Sequence, residues 1–414
     1  MSKGVRLSKL TTPDVDAAYP RTQLFSQLTQ ARNKSAIWIS APAGAGKTML
    51  VASYLQSEKV PCLWYQLDSG DSDASSFFYY LGLAVKKVAS KWRKAMPLLT
   101  PEYHLDPTVF ARNYFRELYS RLDSPFTLVL DNYQELPDNA LLHELLKVGI
   151  EEIPTGINII VMSRSFPPAV MSRLITHELI KEFSWNDLKL SLLDSQEIIR
   201  LRTADDSLSL ADMEVIHKNS YGWMAGLILL LEQHRNGNLL IDNLTVVDDL
   251  ALENESYDRL FEYFSSEVFS QTDSKTQVFL LKTAWLKKIT VHSAKKISEI
   301  ASSKRILSEL VRRQFFITKR GMIKPVFDYH PLFQNYLRAK ACEQFDDETL
   351  KQLQHCSAAL LLEMGQLEEA VSLYQTMKNW PAVIAIIEKH AAEYLKQGRY
   401  ATIERWIEQL PVCY

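Results

Sequence analysis

Residues 36–57 read AIWIS, APAGAGKT, MLVASYLQS: a short apolar run, a loop of small residues ending in Lys47-Thr48, and a segment of helix formers. The first piece has the β-branched and aromatic make-up of a buried strand, and the third has the spacing of a helix. Between them Ala43, Gly44, Ala45 and Gly46 leave room for consecutive backbone N–H groups to face a phosphate, with a helix N-terminus behind them to favour its negative charge. In that arrangement Lys47 reaches the β- and γ-phosphates, the Thr48 hydroxyl ligates Mg²⁺, and Met49 completes the set in the first helical turn. The strict pattern asks for Gly at position 41. Ala41 stands there instead, which is acceptable if the turn keeps a negative φ. The plain alternative is a Gly-containing turn that happens to end in Lys-Thr.

The alternation continues outward. CLWYQLD, FTLVLDN and INIIVMSR are further strand-like runs, separated by the amphipathic segments DASSFFYYLGLAVKKVA and VFARNYFRELYSRL. Apolar strands between helices predict a parallel sheet covered on both faces. The run FTLVLD ends in Asp131, where a carboxylate would hold the magnesium through water. Asn132 follows, at the place where hydrolysing relatives usually carry a second carboxylate, and this speaks against efficient ATPase activity. INIIVMSR ends in Ser163-Arg164, which puts a guanidinium at the carboxyl edge of the sheet, where open α/β folds bind ligands. A solvated strand end for Asp131 and a surface salt bridge for Arg164 are the alternatives.

Beyond Leu188 helical periodicity takes over, in SLLDSQEIIRLRT, ADMEVIHKNS and MAGLILLLEQHRNG. The polar stretch QHRNGNLLIDNLTVVDDLALENES separates this block from a second one, which ends in FFITKRGMIKPVFDYHPLFQNYLRAKA, two apolar runs around a Lys319-Arg320-Gly321 turn. Helices followed by a small hairpin predict a winged helix. The last stretch repeats loosely: Ala358-Ala359 and Gly365 recur as Ala391-Ala392 and Gly398, an offset of 33 residues. Such periods belong to helical-hairpin repeats, which need about three copies to bury their faces. With two copies visible, the chain is expected to be the front part of a longer protein. The expected domains are a nucleotide-binding α/β domain over 1–185, a helical domain over 186–245, a winged helix over 246–345 and the start of a TPR-like α-helical arm over 346–414.

Bulk composition narrows the class. The 414 residues carry a formal net charge of -2, with 47% hydrophobic and 23% charged residues, as expected of a soluble multidomain protein rather than a dedicated nucleic-acid binder. The basic helix-like stretch KKISEIASSKRILSELVRRQ reads as a solvated face. Runs such as GLILLL fall far short of the ~20 residues that cross a bilayer, and MSKGVRLSKL has no apolar signal core, so a cytoplasmic chain without membrane contact is expected. Cys62, Cys342, Cys356 and Cys413 show no CxxC spacing and read as plain thiols.

In order along nearly the whole chain, LSKLTTPDVDAAYPRTQLFSQL, APAGAGKT, LWYQLDSGDSDASSFFYYL, LVLDNYQEL, VMSRSFPP, YGWMAGLILL, FDYHPLFQNYLRAKA and RYATIERWIEQLP resemble the STAND signal-transduction ATPases, in the branch of MalT-type, large LuxR-type regulators. The resemblance implies ATP or ADP and Mg²⁺ as cofactors, with Lys47, Asp131 and Arg164 as the catalytic set and Thr48 and Asp131 around the metal. It implies that Arg21, of the Pro20-Arg21 motif, lies near the nucleotide. Gly222-Trp223-Met224 stands where the family has Gly-x-Pro packing on the adenine side, with Met224 in place of the proline. Tyr329-His330-Pro331 looks like the winged-helix motif whose histidine touches the β-phosphate of ADP, although His330 read alone is an ordinary core or turn histidine. The implied function is a switch that ADP holds closed and that inducer plus ATP opens for self-association, with slow hydrolysis as reset. A small-molecule or protein inducer would act through the C-terminal solenoid, and DNA would be bound only by a module not in this chain. Two alternatives remain: a STAND sensor carrying a different effector for defence or signalling, and an AAA+-type motor, against which Asn132 and the helical repeat argue.

Overall fold

The computed structural model describes residues 8–15, 18–89, 91–103, 105–203, 208–235, 258–320, 325–396 and 400–411. Gly321, Gly398, Cys413 and the expected boundary at 245/246 lie outside the described residues. The chain divides into two compact units, Met1–Leu231 and Glu232–Tyr414.

In the first unit a five-stranded, all-parallel sheet is built from β1 (Ala36–Ser40), β2 (Cys62–Gln66), β3 (Phe126–Asp131), β4 (Ile157–Ser163) and β5 (Ile180–Phe183), in the order β2-β3-β4-β1-β5. Every residue of β1, β3 and β4 is buried, which is why these segments read as unbroken apolar runs. Helices Ala74–Val88 and Pro107–Ser120 cover one face with an aromatic layer of Phe77, Phe78, Phe110, Tyr114 and Phe115 packed mostly edge to face. β5 is absent from the sequence expectation. Its four residues, IKEF, turn Lys181 and Glu182 outward because it is an edge strand, and those charges hide it from an apolar-run reading while protecting the edge from further pairing. Helices Leu192–Arg202, Leu210–Ser220 and Met224–Arg235 follow; the first two each start with a Ser-x-x-Asp capping box, Ser191 with Asp194 and Ser209 with Asp212.

The strand order places β4 between β1 and β3, so the loop after β1, Asp131 at the end of β3 and Arg164 just past β4 all emerge at the carboxyl edge, side by side. The turn after Asp131 is braced from beneath. Tyr133 is buried edge-on against Trp38, with ring centroids 4.9 Å apart, and its hydroxyl donates to His143 Nδ1 at 2.8 Å. His143 Nε2 lies 2.9 Å from the Pro137 carbonyl, which can only accept, so Nε2 carries the proton and Nδ1 is free to accept.

The second unit contains helices Asp258–Glu267, Ser274–Thr283, Val291–Ser298 and Ser303–Arg312, then an antiparallel hairpin of β6 (Ile317–Arg320) and β7 (Val326–Tyr329), then helix Pro331–Gln344. An isolated antiparallel bridge ties Ile289 to Phe327 of the hairpin, and Phe264, Phe316, Phe333 and Tyr336 interlock in the core. This is the winged-helix arrangement expected from the sequence. Helices Asp347–Glu363, Leu367–Thr376, Trp380–Lys396 and Tyr400–Glu408 follow as two hairpins in the register of the 33-residue repeat, and Gly365 makes the first turn with a φ of +74°.

Burial lowers the proton affinity of His143 in the folded protein. The unfolded chain therefore takes up this proton first as pH falls through ~6.5, and stability drops with pH in that window. Thermal unfolding between pH 7.5 and 5.5 is expected to show this decline, and a smaller decline in His143→Gln. Equal slopes in the two proteins would show that His143 is not a source of the pH dependence.

Candidate functional site

The site is assembled around the bend at Gly46. That residue adopts φ +85°, ψ +16° at the N-cap of helix Lys47–Ser57, and Gly44 has φ +68°, left-handed values at which a side chain is strained. Ala41 is fully buried and keeps a negative φ, and its N–H continues the β1–β4 ladder by donating to the Ser163 carbonyl at 3.2 Å. A side chain of one methyl is thus compatible with the departure at this position. Ala43 and Ala45 are buried in the loop, and Met49 is exposed on the first turn.

Lys47 folds over the loop and donates to the carbonyls of Ala41 at 2.7 Å and Pro42 at 3.0 Å. Burial of the ammonium, with the positive charge of Arg164 nearby, pushes the Lys47 pKa down to about 7, while Asp131 opposes that shift. Thr48 Oγ1 donates to Asp131 Oδ2 at 3.1 Å, and the Asn132 N–H donates to Asp131 Oδ1 at 2.9 Å. Asp131 is only 3% exposed, and burial raises its pKa against the pull of these two donors. A bound polyphosphate would relieve the repulsion between Lys47 and Arg164. The hydroxyl and carboxylate oxygens of Thr48 and Asp131 are a donor set suited to Mg²⁺, which takes one or two carboxylates and completes its shell from phosphates and water.

The structure therefore brings Lys47, Thr48, Asp131 and Arg164 together. Arg21, for which the resemblance implies a place near the nucleotide, makes its hydrogen bonds to the segment that follows β5. Its guanidinium is committed to the Leu188 and Lys189 carbonyls, at 2.6 and 2.8 Å, and to Asp194 at 3.3 Å, so it ties the start of helix Thr22–Ala31 to the segment leading into the helical part. Met224 lies over Gly46, its side chain 3.7 Å from where a Cβ on that glycine would sit. His330 belongs to the second unit. It is the N-cap residue of helix Pro331–Gln344, donates its N–H to the Phe316 carbonyl at 2.6 Å, and packs its ring edge-on to Phe316 at 5.8 Å.

Two contacts escape the sequence reading: that of Gln134, which it does not single out, and that of Trp223, which it names only within its motif. Gln134 accepts the Arg164 N–H at 3.0 Å through Oε1 and points its amide at Asn132 Oδ1, 3.4 Å away, linking the turns after β3 and β4. Trp223 is fully buried and its indole Nε1 donates to the Ala43 carbonyl at 3.0 Å. Neither contact spans neighbouring residues, so no local pattern announces it.

A family model described as the MalT winged helix domain matches residues 265–349, and one described as Nephrocystin 3, N-terminal, matches residues 20–164. The chain is 26% identical over 406 residues to the HTH-type transcriptional regulator MalT of Yersinia pestis and 25% identical to that of Yersinia enterocolitica, with 98% of this chain and 44% of each relative covered. It thus spans less than half the length of the curated relatives it matches. Among solved structures, the Walker-type ATPase PABY2304 of Pyrococcus abyssi superposes with a TM-score of 0.54 at 15% identity, covering 81% of this chain and 99% of that one, which establishes the shared fold.

If Thr48 and Asp131 hold the metal, Mg²⁺ should tighten ATP binding to the wild type, and Thr48→Val should lose at least ~10-fold of that gain while keeping its metal-free affinity. Calorimetric titration with and without EDTA reads both quantities. An undiminished magnesium effect in the variant would remove Thr48 from the metal site.

Proposed function

We propose that this chain, a MalT-like P-loop ATPase of the STAND class, is the nucleotide-switch portion of a transcription regulator. The observation that carries the reading is the convergence of Lys47, Thr48, Asp131 and Arg164 around a phosphate-sized loop at a helix N-terminus. Lys47 would release the loop carbonyls and take the β- and γ-phosphates, Thr48 and Asp131 would hold Mg²⁺, and Arg164 would face the terminal phosphate. The metal, when bound, neutralises phosphate charge and polarises the bond to be broken.

Hydrolysis on this reading is slow. Asn132 sits in the left-handed region, with φ +58°, at the turn where a water-activating carboxylate would be useful. An amide can orient water but cannot take its proton, and general-base catalysis contributes about 100-fold to 10,000-fold. Turnover well below ~1 per second follows, as suits a reset rather than a motor. ATP favours self-association and ADP the closed, monomeric state. The helical hairpins beyond Asp347 present the surface for an inducer. DNA contact, which the relatives' names imply for them, is assigned to a module other than the winged helix of this chain, in keeping with the net charge of -2.

Two measurements test this. Single-turnover hydrolysis by nucleotide-stripped protein should be slow and should accelerate at least ~10-fold in Asn132→Asp; fast wild-type hydrolysis indifferent to the substitution would point to an enzyme with another base, such as Glu135. Sedimentation should show larger species with ATP than with ADP, and identical profiles would refute the switch.

A further inference from the structure

The helical part does not simply follow the α/β domain; its residues 222–225 grip the phosphate loop from outside. Trp223 Nε1 donates to the Ala43 carbonyl at 3.0 Å, and the Ala225 N–H donates to the Gly44 carbonyl at 3.0 Å. A trans peptide is planar, with its C=O and N–H on opposite sides. Holding the Ala43 carbonyl outward therefore turns the Gly44 N–H inward, and holding the Gly44 carbonyl outward does the same for Ala45. The Ala45 N–H does point across the loop, where it meets the Pro42 carbonyl at 3.3 Å, a weak bond to the same oxygen that receives Lys47.

The gripping segment is itself fixed. Gly222 has φ +74°, and a Cβ there would come within 2.9 Å of the Leu190 carbonyl oxygen, so only glycine fits; its own carbonyl accepts the Leu190 N–H at 2.9 Å. The neighbouring Leu188 and Lys189 carbonyls are those that Arg21 holds.

We propose that residues 222–225 are a working part of the phosphate site: through two carbonyls they aim the Gly44 and Ala45 amides at bound phosphate, and Trp223 is a positioning residue for polyphosphate rather than only core. The proposal rests on the nucleotide reading above. Because coupling between two events is reciprocal, phosphate in the loop must in turn tighten the seat of the helical segment. The substituent recognised is the phosphate chain, not the base.

The test uses ADP and inorganic pyrophosphate on the 414-residue chain. Trp223→Phe keeps an aromatic ring and removes the indole donor. Loss of one hydrogen bond that orients a charge-binding amide should weaken both ligands by about 10-fold, and should weaken adenosine by less than about twofold if only phosphate contacts are affected. In wild type, hydrogen exchange followed by mass spectrometry should show pyrophosphate alone protecting both the 41–48 and the 222–226 peptides, a readout that stands even if the variant folds poorly. Wild type that binds both ligands while Trp223→Phe binds them equally well, or protection confined to 41–48, overturns the inference and leaves the nucleotide reading intact. Wild type that binds neither ligand overturns both.

Discussion

Everything at the site depends on one backbone constraint: the chain must leave a buried parallel strand, reverse, and start a helix within six residues, 41–46, while presenting its amides rather than its side chains. The left-handed turns at Gly44 and Gly46 meet that demand. Ala41, still inside the sheet and bonded to Ser163, does not need glycine's freedom. The departure from the strict pattern thus falls at the residue just past the end of β1, still bonded to β4, and the glycines that make the turn are unchanged.

The loop is held on two sides. From within, β4 contributes the Ser163 carbonyl and the nearby Arg164, and the turn after Asp131 is buttressed by Tyr133 on Trp38. From without, Trp223 and Ala225 hold its carbonyls, and Arg21 secures the neighbouring strand of backbone. Such cross-bracing is costly in polar groups buried away from water unless each is paired. It also means that the helical segment cannot shift without disturbing the phosphate loop, which is the physical requirement for a switch that reads nucleotide.

Much of this was legible in the sequence because it is local. The APAGAGKT loop, the strand ending in Asp131 and the strand that Arg164 follows each announce themselves through composition and period, and the hairpin after Ser303–Arg312 reads as a wing. The 33-residue repeat maps onto two helical hairpins because each repeat buries one face on the next. What escaped was either masked or long-range. β5 carries two outward charges on an edge and looks polar. Arg21 finds carbonyls 167 and 168 residues away, and Trp223 finds one 180 residues away, so a reading by motif identifies the residues without their partners. Gln134 carries no motif signal of its own, and only the adjacency of β3 and β4 gives it Arg164 to bind.

The most direct measurement is calorimetric titration of ADP into nucleotide-stripped wild type and Lys47→Ala. Lys47 is a half-buried side chain whose bonds in the fold are to loop carbonyls, so its removal should leave the sheet intact by circular dichroism. The account predicts one ADP per chain for the wild type and a loss of affinity of about 10-fold or more in the variant, the scale of a charge-assisted contact to phosphate. A wild type that does not bind ADP, or a folded variant that binds it equally well, would contradict the account.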